Sequence, residues 1–113
     1  MPPQPTDNAE TGLGGLGNLD KLLEHRVRLG ICILLARNES LSFSRLKALL
    51  GETDGSLGAH LLKLEEGGFL TVRKEFQDRK PVSWYALTVP GRAALDRHLK
   101  ALEELIAAAA NGN

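Results

Sequence analysis

Three histidines, one cysteine and a glycine-rich run are the residues of this chain with the most familiar chemistry. None of them assembles a reaction centre. His25, His60 and His98 fall on three separate helical patterns, with no histidine four residues away and no neighbouring cysteine. A tetrahedral metal set needs ligands at short, regular spacings, so no metal site is read here. Cys32 stands alone inside an apolar run, which suits a packed thiol, whereas a reactive thiolate needs an exposed, electropositive setting. A single cysteine allows no intrachain disulfide and points to a reducing, cytoplasmic compartment. The GLGGLG run at residues 12–17 has no strand before it and no motif-bearing helix after it, so it fails the context of a dinucleotide loop. No paired carboxylates and no nucleophile–base set occur at useful spacing. The reading is therefore not an enzyme, and no cofactor is expected.

What remains is the placement of charge. Fourteen Lys and Arg balance fourteen Asp and Glu, which excludes a uniformly basic coat and leaves phosphate contact to local clusters. Two such clusters emerge. From Leu70 to Leu87, Arg73, Lys74, Arg79 and Lys80 are opposed only by Glu75 and Asp78. After Thr53, the residues Ser56, Ala59, His60 and Lys63 lie off the line of Leu57, Leu61 and Leu64. Those leucines recur at spacings of four and three, so they form the buried stripe of a helix and turn the other residues outward. Arg26, Arg28 and Arg37 add cations on an earlier helix.

The elements that must position these clusters follow from periodicity. Residues 19–37 read as one helix with Asn18 as its cap, and its second half, VRLGICILLA, is apolar almost all round. Such a helix needs cover on two sides, and a partner subunit is a reasonable supplier. LSF (residues 41–43) suits a very short strand. Ser42 or Ser44 then caps a short helix carrying Leu46, Leu49 and Leu50, closed by Gly51. Thr53 or Asp54 caps the next helix, and Glu65-Glu66-Gly67-Gly68 closes it. Leu70 and Val72 alternate with polar residues, and residues 82–87 are β-branched or aromatic, so a hairpin is predicted with EFQDRKP as its charged connection. Thr88 caps a final helix with Pro90 in its first turn. That helix carries Leu95, Leu99, Leu102 and Ile106 at spacings of four, three and four, a coiled-coil-like seam.

The fold class read from this order is mainly α with a small β-hairpin: a winged helix-turn-helix with an extended C-terminal dimerisation helix. Residues 1–18, rich in Pro and Gly, are expected to form a flexible N-terminal tail, and residues 19–110 the domain. The surplus apolar surface predicts a homodimer built on Val27, Ile31, Leu34, Leu95, Leu99, Leu102 and Ile106. The longest apolar stretch, residues 29–36, is far short of the roughly 20 residues that span a bilayer, so no membrane role is expected.

The motifs carry a resemblance. Residues 53–69 match T-D-G-x-L-x-x-H-L-x-K-L-E-E-x-G-[FY], residues 76–81 match F-x-x-R-K-P, and residues 85–92 match Y-x-L-T-x-x-G-R. In this succession, over roughly residues 19–106, the chain resembles the winged-helix domains of the multiple-antibiotic-resistance and arsenical-repressor (MarR- and ArsR-like) superfamily, most of all its small stand-alone transcriptional regulators. The resemblance implies double-stranded DNA as partner, with Ser56, Ala59, His60 and Lys63 turned towards base edges and phosphates. It also implies that Arg79 and Lys80 on the wing reach an adjacent minor groove or backbone. With Thr53, Arg73 and Lys74 these make up the expected DNA-contact set. It further puts Tyr85 and Leu87 inward and Trp84 outward. The pattern departs from its relatives in having Gly58 and Ala59 where long donors are common, and Asp78 at the wing tip. Shape and backbone contacts are then expected to outweigh direct base reading. The alternative of another class is a winged helix that binds protein rather than DNA. No effector can be named from the residues.

Overall fold

A computed structural model describes residues 11–111. Two 3-10 turns, Gly14–Asn18 and Lys21–Leu23, precede α1 (Arg26–Arg37), β1 (Leu41–Ser42), α2 (Phe43–Leu50), α3 (Asp54–Glu66), β2 (Leu70–Gln77), β3 (Lys80–Leu87) and α4 (Val89–Asn111). The strands form one antiparallel sheet in the order β1-β3-β2. Leu41 pairs with Tyr85, and the β2–β3 ladder runs from Leu70–Leu87 out to Gln77–Lys80. The mainly helical class with a small sheet is therefore the observed architecture.

Local chemistry sets the helix ends. Ser42 Oγ accepts from Arg45 N at 3.1 Å to start α2, and Thr53 Oγ1 accepts from Ser56 N at 3.2 Å to start α3. Gly51 ends α2 in the left-handed region at φ 66°, which glycine enters without a Cβ penalty. The junction before α4 explains the T-x-x-G-R run. Thr88 Oγ1 donates to Gly68 O at 2.6 Å and accepts from Gly91 N at 2.9 Å, while Thr88 N donates to Phe69 O at 2.9 Å. A Cβ at Gly91 would strike Phe69 O, so only glycine lets α4 start this close to β2. Arg92 Nη2 then donates to Ala36 O at 3.2 Å, meeting an orphan carbonyl at the end of α1.

The core gathers around α1, with Leu23, Val27, Ile31, Cys32, Leu35, Leu46, Leu57, Leu61, Leu64, Leu70 and Leu95 all buried. This overturns one premise of the dimer reading. The all-round apolar helix is covered within its own chain by α2, α3, α4 and the sheet. Val27, Ile31 and Leu95, expected at a dimer surface, are 6%, 0% and 1% exposed and belong to the core. Leu34, Leu99 and Leu102 are half-buried, and Ile106 is exposed.

Two further expectations change. The single helix over residues 19–37 is a 3-10 turn followed by a separate helix, and Asn18 is not its cap. Asp20 Oδ1 accepts from Leu22 N at 2.9 Å, and His25 Nδ1 accepts from Val27 N at 3.2 Å, so each segment has its own cap. Asp20 N donates to the buried His98 Nδ1 at 2.9 Å, fixing the bend against α4. The expectation of a flexible tail over residues 1–18 fails for its described part. Residues 14–18 are a turn packed on α4, where a Cβ at Gly15 would lie 2.7 Å from Ala101 O. Glycine here serves close approach rather than freedom. Residues 1–10 of that tail lie outside the described residues. No described helix is long and apolar enough to cross a membrane.

Candidate nucleic-acid interface

The α2–turn–α3 unit and the β2–β3 hairpin are the parts that could meet a duplex. Leu57, Leu61 and Leu64 are buried, so α3 is anchored by the stripe read from the sequence. At 100° per residue the opposite side of α3 carries Gly55, Ala59, Leu62, Lys63 and Glu66, all exposed. A Cβ at Gly55 or Gly58 would meet no atom within 4 Å, so nothing inside the chain requires glycine at either position. Leu62, which the sequence reading did not single out, is 54% exposed on this side. Thr53 is exposed at the start of α3, its oxygen engaged by Ser56 N, and Ser56 itself is half-buried. Lys47 and the first-turn Asp54 pair across the turn at 2.9 Å.

His60 departs from its expected place. It does not point out with Ala59 and Lys63 but lies sideways against α1, half-buried. Its Nδ1 is 3.2 Å from Arg28 Nη1, and its ring centroid is 4.2 Å from that of His25. Arg28 Nε donates to Leu22 O at 2.7 Å, which fixes the guanidinium between the first turns and α3. Burial, then the charges of His25 and Arg28, hold the His60 imidazole below its ordinary pKa; Glu52 pulls the other way. The fold thus joins two histidines that sequence spacing had separated by 35 residues, 25 to 60. Nothing local to either residue announces that contact.

The wing is longer and its tip tighter than the sequence suggested. The strands run through EFQ and KP, leaving only Asp78 and Arg79 as the turn, at φ 50° and 67°. Both lie in the left-handed region, the signature of a type I′ turn whose twist suits a hairpin. Pro81 is tolerated because β1 pairs with β3 only at Trp84 and Tyr85, leaving that edge open further out. Arg79 and Lys80 are exposed at the tip, and Lys74 is exposed on β2, with no ion pair among the described residues. Arg73 is exposed but shares its charge with Glu75 at 3.3 Å. Phe76 is 77% exposed beside Pro81, an apolar patch near the tip. Trp84 is half-buried but is not among the residues packed on the core, as its outer-face position implies, and its Nε1 is buried with no hydrogen-bond partner among the described residues. Tyr85 and Leu87 are half-buried against the core.

Cys32 is fully buried, and burial pushes its thiol up to about 12. His98 is held by Asp20 N, and the described residues contain no group of three or more metal-ligating side chains.

Comparison with known proteins fits this geometry. Residues 27–106 match the family described as a winged helix DNA-binding domain. An uncharacterised protein of Methanocaldococcus jannaschii is 34% identical over 85 residues, covering 75% of this chain and 92% of its own. A solved structure of a transcriptional regulator homologue from Pyrococcus horikoshii is 33% identical with a TM-score of 0.71, covering 75% of this chain and 84% of its own. ZitR of Lactococcus lactis, a MarR family member, shares the fold in a structure with DNA. Its TM-score there is 0.56 at 19% identity, covering 76% of this chain and 57% of its own.

Proposed function

This chain belongs to the winged helix DNA-binding domain family, and we propose that it is a transcriptional regulator binding double-stranded DNA as a homodimer. One arrangement carries the reading: α3, with its exposed outer strip, contacts β2 of a hairpin whose tip presents Arg79 and Lys80 without an ion pair among the described residues. The Pyrococcus relative, described as a transcriptional regulator homologue, supports the same role. ZitR with DNA supports docking of this fold on a duplex. In that docking α3 enters the major groove, with Lys63 near the backbone, and the wing follows phosphate.

The dimer reading is supported by surface that one chain leaves open. Leu34, Leu99 and Leu102 are half-buried and Ile106 is 68% exposed, while Leu13 and Leu16 stand open on the turn packed against α4. At 23 residues, α4 is about 35 Å long, in a molecule with extents of 60 × 25 × 23 Å. Two copies joined along this edge would offer two recognition helices about 34 Å apart, matching half-sites one helical turn apart.

Binding of fragments from the source genome at low salt, followed by a salt titration, tests the reading. Affinity is expected to fall steeply with salt, and removing both cations in Arg79→Ala/Lys80→Ala should weaken binding to every sequence. A second reading, a winged helix that binds protein, draws on the donor-poor strip of Gly55, Gly58, Ala59 and Leu62. Absence of any retarded duplex at micromolar protein would favour it.

A further inference from the structure

The contact between α3 and α1 has a polarity that constrains what it can do. Arg28 has donors only, so in the 3.2 Å pair His60 Nδ1 must accept. Only an uncharged imidazole with its proton on Nε2 can do so; an imidazolium has no free lone pair. The guanidinium cannot swing away cheaply, because its Nε is bonded to Leu22 O at 2.7 Å. The His25 ring lies against His60 with an interplanar angle of 43°, and its own Nδ1 is engaged by Val27 N at the start of α1.

We propose that Arg28 and His60 are positioning residues for DNA binding: the uncharged His60 locks the recognition helix to the first helix, and uptake of one proton there releases the lock and lowers DNA affinity. The inference rests on the DNA-binding reading above and assigns His60 a role other than base contact. The charged and titratable groups that face this imidazole are Arg28 on α1, His25 at the cap of α1, Lys63 on α3 and Glu52 in the preceding turn. With the proton added, His60 opposes the fixed Arg28 charge and has only Glu52 in its favour. A second contact reinforces the coupling. A Cβ at Gly67, just past the end of α3, would lie 2.5 Å from Leu22 Cδ1, so the Lys21–Leu23 turn touches α3 at its end as well as through Arg28. Leu22 supplies both the carbonyl that holds Arg28 and the side chain against Gly67, so α3 is referenced to one short segment.

A His60 that contacted phosphate would give the opposite sign, since its protonation would add a cation at the duplex and strengthen binding. Fluorescence anisotropy of the full chain on a duplex selected by it, at constant ionic strength from about pH 8 to about 5.5, separates the two. Circular dichroism at each pH confirms that the chain is folded. Affinity is expected to fall about three- to tenfold across that range, well under the ceiling of about tenfold per pH unit for each linked proton, of which a homodimer has two. His60→Asn places an amide oxygen where Nδ1 stood and does not titrate, so its affinity should no longer vary with pH. Arg28→Ala, with no bond left to lose, should also lose the pH dependence and bind more weakly throughout. His25→Asn, which keeps an acceptor for Val27 N, should keep the wild-type slope. Affinity that rises as pH falls, that is flat in the wild type, or that still falls in His60→Asn overturns the inference while leaving the DNA-binding reading intact. Absence of binding to any duplex at every pH removes the reading on which it rests.

Discussion

Replacing Arg79 by glycine should make the protein more stable and a weaker DNA binder at once. Arg79 sits at φ 67° in a two-residue turn, a conformation that costs a side-chain-bearing residue about 1–2 kcal/mol. Glycine removes that cost but adds about 0.5–1 kcal/mol of unfolded-chain entropy, leaving a net gain of about 0.5–1 kcal/mol. For a domain of this size the gain corresponds to a rise in Tm of about 2–8 °C. The same change deletes a tip cation that has no ion pair among the described residues. If each tip cation neutralises one phosphate, the slope of log K against log salt should become shallower by about 0.9 per subunit, about 1.8 for the dimer. Arg79→Gln separates the two effects, since it removes the charge and keeps the left-handed backbone; it should reproduce the change in salt slope without the gain in Tm. Calorimetry and a salt series of binding isotherms read both quantities. A Tm that falls in Arg79→Gly would refute the turn argument. An unchanged salt slope in both variants would refute the phosphate contact.

Two glycines in helical segments should respond oppositely to alanine. Gly58→Ala places its methyl in open space and should gain about 1 kcal/mol, whereas Gly91→Ala drives a Cβ into Phe69 O and should lose about 1–3 kcal/mol, both read from urea midpoints. Cys32, with its thiol pushed up to about 12 by burial, should stay unlabelled by an alkylating reagent at about pH 8 until the chain is unfolded. The depressed His60 pKa means the folded state takes up its proton less readily than the unfolded state. Stability should therefore be independent of this group above about pH 6.5 and fall as pH drops below it, a slope that His60→Asn should reduce in urea titrations.

Much of the fold could be read from spacing alone, because one face of each long element is buried. The Leu57–Leu61–Leu64 stripe, the Thr53 and Thr88 caps and the Gly51 turn all follow local rules and all appear. The readings that failed did so for tertiary reasons. Residues 19–37 have a continuous apolar rhythm, yet the bend at His25 depends on His98, more than 70 residues away, holding Asp20. The glycines at residues 12–17 look like a flexible tail because their partner, the Ala101–Ala108 side of α4, is distant in sequence. Val27, Ile31 and Leu95 are apolar enough to serve either a core or a dimer, and pattern does not distinguish the two. The candidate DNA-contact set was legible where it lies on the outer strip of α3 or on the wing. His60 was misplaced because a helix position 60° from the buried stripe can face a neighbouring helix as easily as solvent, and the choice was made by Arg28.

The composition of α3 bears on how such a protein would discriminate between sites. A bidentate side-chain pair to one base is worth about 1–3 kcal/mol of discrimination, and it needs a long fork such as Arg, Asn or Gln. The exposed strip has none: Gly55, Ala59 and Leu62 carry no polar side-chain atom, Lys63 is a point charge, and Glu66, at the last position of the helix, can only accept. On the proposed docking, Thr53 keeps its hydroxyl proton to donate, and Ala59 and Leu62 can meet thymine methyl groups. The side-chain-free line through Gly55 and Gly58 admits closer backbone approach to the groove. Each of these contacts discriminates weakly in one half-site. Duplicating a weak half-site at fixed spacing roughly doubles the discrimination in free energy, so selectivity in this design falls to the dimer. The residues that set the separation of the two α3 helices, along the second half of α4, should then influence sequence choice as strongly as those that touch bases. Inserting two alanines after Leu102 would shift that seam by 200° and 3 Å along α4. Loss of selectivity with non-specific affinity retained is the expected result in a competition assay, and unchanged selectivity would place discrimination within each half-site.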